Sequence, residues 1–277
     1  MGASTNSTVA REVAEQIIAA APDRAERWAR AAASGLFLLC AAYTLYAARG
    51  MSGGMIMPGG WTMPMMWMTM PGQSLAGLAL DFLVMWQAMM IAMMLPSSWP
   101  MLELYSRVAR HTGQRRSMFN TVVAGAGYFT VWGAFGAIAL AAGFEVSRAA
   151  MASANLSHWI PAAAGVSLVF AGIWQLTPLK HSCLKHCREP LLFLGHAYKP
   201  GVWGAFRVGL HHGAFCALCC WALMLMQIVL GVMNLAVMAG VAVVIATEKL
   251  WKRGPLLARL VGAVSIAVGF ALLFRSS

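Results

Sequence analysis

The sequence predicts an all-α fold: a polytopic membrane helix bundle of about seven transmembrane helices, six being the alternative count, with the N-terminus inside. Three observations predict it. Hydrophobic residues make up 60% of the 277 and charged ones only 10%, against roughly 45–50% and 25% in soluble domains. The apolar residues gather in windows close to the ~20 that cross a bilayer as a helix. Positive charge alternates between the segments that join those windows.

The windows run approximately over 31–48, 75–95, 118–142, 157–177, 213–232, 235–250 and 256–274. The second is expected to end at Leu95–Pro96, because proline lacks the amide hydrogen a helix needs. The sixth is the weakest, since Glu248 and Lys249 close it and only Met233 and Asn234 separate it from the fifth. A re-entrant hairpin of the fifth and sixth is the alternative. Before the first window, residues 1–30 form a cytoplasmic segment with no signal-peptide h-region. Within it, Val9, Val13, Ile17 and Ile18 suggest a short surface helix stopped by Pro22. Residues 31–277 then form a single transmembrane domain, with an outer loop at 49–74 and a cytoplasmic loop at 178–212.

The charge imbalance, a formal +11 from 20 Lys+Arg and 9 Asp+Glu, would point to nucleic acid in a soluble protein. Here it reads as a topology code. Seventeen of the 20 basic residues fall on one side under the seven-span count; Arg49, Arg148 and Arg275 remain on the other. Basic loops mark the cytoplasmic side, so no nucleic-acid partner is expected. The environment is a lipid bilayer, in a bacterial cytoplasmic membrane.

Spanning a bilayer does not call for 21 Met or 6 Cys. Fourteen Met lie between Met51 and Met101, and Met63, Met65, Met66, Met68 and Met70 crowd the outer loop among prolines and glycines. Thioether sulfur is a soft, uncharged donor suited to Cu(I), and unlike a thiol it is not lost to disulfides in an oxidising compartment. Trp61 and Trp67 fit an interfacial belt, which leaves the Met unexplained. In the second span Asp81, Met85, Met89 and Met93 are spaced by four and share a helix face. For any one of these Met, filling of irregular helix contacts is the ordinary role.

Five of the Cys and five of the seven His lie between His181 and Cys220. His181, Cys183, His186 and Cys187 form a first group in the cytoplasmic loop, with both thiols on one face if the segment is helical. His212, Cys216, Cys219 and Cys220 share an arc of the fifth span. In a reducing compartment such thiols bind metal or react rather than form structural disulfides. Cys/His sets suit Zn as well as Cu(I); the Met loop favours Cu(I) and makes zinc the lesser candidate. Cys40, alone in the first span, reads as packing.

Three stretches, in this order, carry a resemblance. They are Met89-Met90-Ile91-Ala92-Met93-Met94-Leu95-Pro96-Ser97, then Gln175-Leu176-Thr177-Pro178-Leu179-Lys180 with Cys183-Leu184-Lys185-His186-Cys187-Arg188-Glu189-Pro190, then Cys216-Ala217-Leu218-Cys219-Cys220-Trp221 followed by Gly231-Val232-Met233-Asn234-Leu235. Over about residues 30 to 253 the chain resembles a bacterial family of predicted metal-binding integral membrane proteins, formerly a domain of unknown function, which includes a copper chaperone associated with tyrosinase. The resemblance implies copper handling.

The expectation is a non-enzymatic Cu(I)-binding membrane protein that captures copper and delivers it to a copper enzyme. An accessory subunit of a membrane metalloenzyme or oxidase complex, and a metal permease, are the alternatives. No phosphate-cradling Gly loop or Ser/His/Asp set supports hydrolase or nucleotide chemistry. A haem protein needs paired His at matching depths in different spans, yet His111, His158 and His196 lie at span edges or in loops.

Overall fold

A computed structural model of the protein describes residues 23–50, 53–69 and 72–276. Met70 and the surface helix expected at 9–21 lie outside them. Among the described residues the chain forms nine α-helices and one hairpin. In order these are α1 (Arg24–Gly50), β1 (Gly54–Ile56), β2 (Thr62–Pro64), a 3-10 turn (Met65–Trp67), α2 (Leu75–His111), α3 (Ser117–Ala152), α4 (Ala154–Leu176), α5 (Pro178–Arg188), α6 (Pro190–Ala197), α7 (Gly201–Gly231), α8 (Leu235–Leu250) and α9 (Gly254–Ser276). The fold is an all-α bundle, as the composition demands.

Six helices, α1, α2, α3, α4, α7 and α9, are long and apolar enough to cross a membrane. The sixth sequence window is the one that falls short. Helix α8 has 16 residues, about 24 Å at 1.5 Å per residue, against a hydrocarbon core of about 30 Å. It turns back beside α7 through residues 232–234. Gly231 takes φ 114° there, and the Asn234 side chain accepts from the amides of Ala236 and Val237 at 3.0 and 3.2 Å.

Helix α2 corrects a second expectation, because it runs through Pro96 and Pro100 to His111. The hydroxyls of Ser97 and Ser98 bond to the carbonyls of Met94 and Leu95 at 3.0 and 3.2 Å. Local hydroxyls and packed neighbours of this kind let membrane helices carry proline. Its far end is tied to the start of α1 by a charge network. Arg107 meets Glu26 at 3.3 Å and Glu103 at 2.8 Å, Arg110 meets Asp23 at 2.9 Å, and Arg110–Glu26 and Arg30–Glu103 pairs complete it.

Helices α4 and α9 pack antiparallel at backbone contact. A Cβ on Gly172 would stand 2.6 Å from the carbonyl oxygen of Gly262, and one on Gly165 would stand 2.9 Å from that of Gly269. Small residues are what permit such approach between membrane helices. The expected loop at 178–212 is helical over most of its length, formed by α5, α6 and the first turns of α7.

The main core runs lengthwise through the bundle. Met66 and Trp67 stand at the hairpin end; Met85, Met89, Met90, Met93, Met94, Met224, Met226 and Met238 follow; Cys216, Cys219 and Cys220 close the basic end. One buried cluster thus runs from the hairpin to the helix that carries the cysteines, with sulfur-bearing side chains along it.

Candidate metal centre

The hairpin is built by its glycines and pinned by one tryptophan. Gly59 and Gly60 take φ 97° and 74° in the turn, and Met55 pairs with Met63 across the strands. Trp61 Nε1 donates to the carbonyl and hydroxyl of Ser157, both at 3.1 Å, and the Ser157 hydroxyl donates to the Pro58 carbonyl at 2.7 Å. Met63 is buried in a small cluster with Met57, against which Met68 packs. Met66 belongs to the main core and Met65 is exposed. Among the described loop methionines, Met57, Met63 and Met66 are thus buried, Met68 is half-buried, and Met55 and Met65 are exposed.

In α2, Met85, Met89 and Met93 are all buried, as their common face requires. Asp81, one turn earlier, is exposed and accepts from Gln73 at 2.9 Å. Two thioethers accept hydrogen bonds from buried polar groups: Met89 Sδ from Gln227 and Met226 Sδ from Ser265, each at 3.3 Å.

At the basic end the two Cys/His groups meet. Helix α5 begins with Thr177 as N-cap, its hydroxyl accepting from the Lys180 amide at 3.3 Å, and with Pro178 in the first turn, where a missing amide hydrogen costs nothing. Its amphipathic spacing turns Cys183, Leu184 and Cys187 toward the core. Both ends are fastened to α8. Lys180 Nζ donates to Glu248 at 2.7 Å, and Arg188 donates to the carbonyls of Glu248, Trp251 and Lys252 at 2.7, 2.7 and 3.2 Å. A guanidinium there satisfies the open carbonyls at the C-terminus of α8.

This clamp brings Cys187 Sγ to 3.9 Å from Cys219 Sγ, while Cys216 and Cys220, one turn apart on α7, stand at 4.0 Å. Two sulfurs bound to one ion at about 2.3 Å, at tetrahedral or trigonal angles, stand about 3.8–4.0 Å apart. The thiols meet as pairs: among the described residues no three His, Cys, Asp or Glu side chains form a ready metal cage.

The surroundings are polar and buried. Tyr128 Oη and Lys249 Nζ each lie 2.9 Å from Cys216 Sγ. Lys249 also donates to the Ser97 hydroxyl at 3.2 Å. Lys180 donates to the Cys219 carbonyl as well as to Glu248, which also accepts from Gln175 at 3.3 Å. On α5, burial pushes the Cys183 thiol up from its ordinary range, nearby Cys219 adding to this and Lys180 opposing it. Hydrogen bonds to Cys216 and Cys219, then burial, hold the Cys187 thiol well above that range.

The predicted histidines divide. His212 is buried one turn before Cys216 and stacks on Tyr128 with ring centres 5.5 Å apart. His186 is exposed and stacked on Phe215 at 4.4 Å, its Nδ1 3.1 Å from the Ser182 carbonyl oxygen. His181 is also exposed, on the other side of α5, and lines a cavity with Pro255 and Arg259. Cys40 is buried in α1, and its carbonyl accepts from Thr44 at 2.7 Å.

Sequence reasoning missed Tyr128, Lys180 and Lys249 around the thiols, and Gln227 against Met89. The two lysines were assigned to the basic face, yet they are 1% and 6% exposed. A signal for Lys249 existed: an acid and a base at the end of an apolar window can be inward-facing as well as terminal. Tyr128 and Gln227 carried none.

A family model described as PpoB2, copper chaperone, matches residues 83–272. The chain belongs to the PpoB2 copper chaperone family. The matched stretch contains Met85, Met89, Met93 and all five clustered cysteines; α1 and the Met hairpin precede it. No curated protein and no solved structure gives a match. Membership in this family gives the chain a copper-handling role.

Proposed function

We propose that this protein is an integral membrane Cu(I) metallochaperone whose cargo is held by the thiol pairs gathered where α5 meets α7, Cys187 with Cys219 and Cys216 with Cys220, with Cys183 within reach. The observation that carries the reading is the meeting of the two cysteine groups at 3.9 Å inside a family of copper chaperones.

In this reading the basic end faces the bacterial cytoplasm, following the positive-inside rule. The hairpin thioethers Met63, Met65, Met66, Met68 and Met70 take up copper on the outer side with weak, exchangeable bonds. Met85, Met89 and Met93 carry soft donors between the two ends. Imidazole from His212, buried beside Cys216, and from His186 and His181 at the surface, gives the ion further donors on its way out. The acceptor is a copper enzyme, and the protein does no catalysis of its own.

The test is competition for Cu(I) between the purified protein and a chromophoric chelator. Wild-type protein is expected to hold Cu(I) far more tightly than a Cys187→Ser, Cys216→Ser, Cys219→Ser variant. Equal affinity in a folded variant sinks the reading.

A further inference from the structure

Lysines 180 and 249 are both buried at the basic end, yet they differ in counter-charge. Lys180 lies 2.7 Å from the Glu248 carboxylate. Among the described residues Lys249 has no carboxylate within ion-pair distance. Its Nζ meets the Ser97 hydroxyl at 3.2 Å and the Cys216 sulfur at 2.9 Å. Glu248, next to it in sequence, is engaged by Lys180 and Gln175. A buried charge without a partner is costly, and the group placed to balance Lys249 is the Cys216 sulfur once metal binding makes it a thiolate.

We infer that Lys249 is a specificity-determining residue that makes the thiol centre electrically neutral with a monovalent ion and unbalanced with a divalent one. The inference rests on the thiol site proposed above. In the pair that Lys249 touches, Cys216 with Cys220 at 4.0 Å, each thiol releases a proton to solvent on binding metal. A monovalent ion between two thiolates leaves one net negative charge, which the ammonium cancels. A divalent ion between two thiolates is already neutral, so the ammonium remains uncompensated in a medium of low dielectric. Zn(II) is the divalent ion that a thiol site must reject. Ligand softness alone does not reject it, because thiolates bind both. The fixed charge adds discrimination by valence.

Affinities for Cu(I), by chelator competition, and for Co(II), by its thiolate charge-transfer absorption as a probe of divalent binding, are compared in purified full-length protein. Lys249→Met is expected to lower Cu(I) affinity by about 10–100-fold, the range for groups that act on a metal through its ligands, while Co(II) affinity holds or rises. Lys249→Arg, which keeps the charge, is expected to retain the wild-type preference. Should Lys249→Met not fold, Lys249→Gln carries the same comparison, with a polar group left toward Ser97. Equal losses for both ions, or Lys249→Arg behaving like Lys249→Met, overturn the inference. Wild-type protein that binds neither ion through thiols defeats the thiol-site reading itself, an outcome distinct from a site that binds without discriminating.

Discussion

The two ends of the sulfur-lined core solve different electrostatic problems. Toward the hairpin, Met66, Met85, Met89 and Met93 are packed as ordinary core, and the polar contacts they receive are single hydrogen bonds such as Gln227 to Met89. Toward the basic end, four cysteines are surrounded by Lys180, Glu248, Gln175, Lys249, Tyr128 and Arg188. A thioether is neutral with or without metal, so it needs no counter-charge. A metal-binding thiol becomes an anion, and in a buried site an anion requires a cation and hydrogen bonds. Soft chemistry is common to both ends; charge control is confined to one.

That contrast breaks first at the thiols. Replacing Cys216 and Cys219 together by Ser is expected to abolish tight Cu(I) binding, seen in chelator competition, with helical circular dichroism unchanged. Next in size is Lys180→Met, which strands Glu248. Removing one partner of a buried ion pair typically costs about 3–5 kcal/mol, and thermal unfolding in detergent should show a loss of that order. Lys249→Met should do the reverse, leaving thermal stability near wild type while copper affinity falls. Two buried lysines, one on α5 and one on α8, would thus separate into a structural and an electrostatic role.

At the other end, changing Met85, Met89 and Met93 to Leu is a near volume-conserving swap, expected to cost less than about 1.5 kcal/mol each. Equilibrium affinity at the thiols should stay put, while in proteoliposomes copper supplied on the hairpin side should reach the thiols more slowly. Stopped-flow loading measures this, and an unchanged rate would show the thioethers to be packing alone.

The smallest effect is on pH. Burial and neighbouring sulfur hold Cys183 and Cys187 above the ordinary thiol range, so both are protonated at neutral pH. Binding must then expel protons, and copper affinity should rise with pH toward the raised thiol values. At the Met end no proton is exchanged. The slope of log affinity against pH should flatten in Cys187→Ser, and a titration from pH 6 to 8 reads it.

Much of the frame was legible in one dimension. Helix windows follow from runs of apolar residues, and Met85, Met89 and Met93 share a face because four residues make roughly one turn. The limits of α2 were not legible, since proline reads as a stop when its neighbours are unknown; Ser97, Ser98 and a packed bundle make it tolerable. Helix α8 was ambiguous for a related reason. Glu248 and Lys249 looked like solvent-facing ends, and only partners from α2, α5 and α7 show that they point inward.

By itself the sequence determined the all-α class, the copper-type chemistry of soft donors and, through motif order, the family. These depend on residue type and short-range periodicity, which are local properties. Tertiary structure alone decided that Cys187 and Cys219, 32 residues apart, are neighbours, that the Met loop folds into a hairpin with Met63 buried, and that one lysine faces a carboxylate and the other a thiol. Each depends on how a helix is rotated and clamped against its neighbours. That rotation is set by the sum of many weak contacts and a few buried charges, and the partners that decide it, such as Lys180 and Glu248, lie far apart in the sequence.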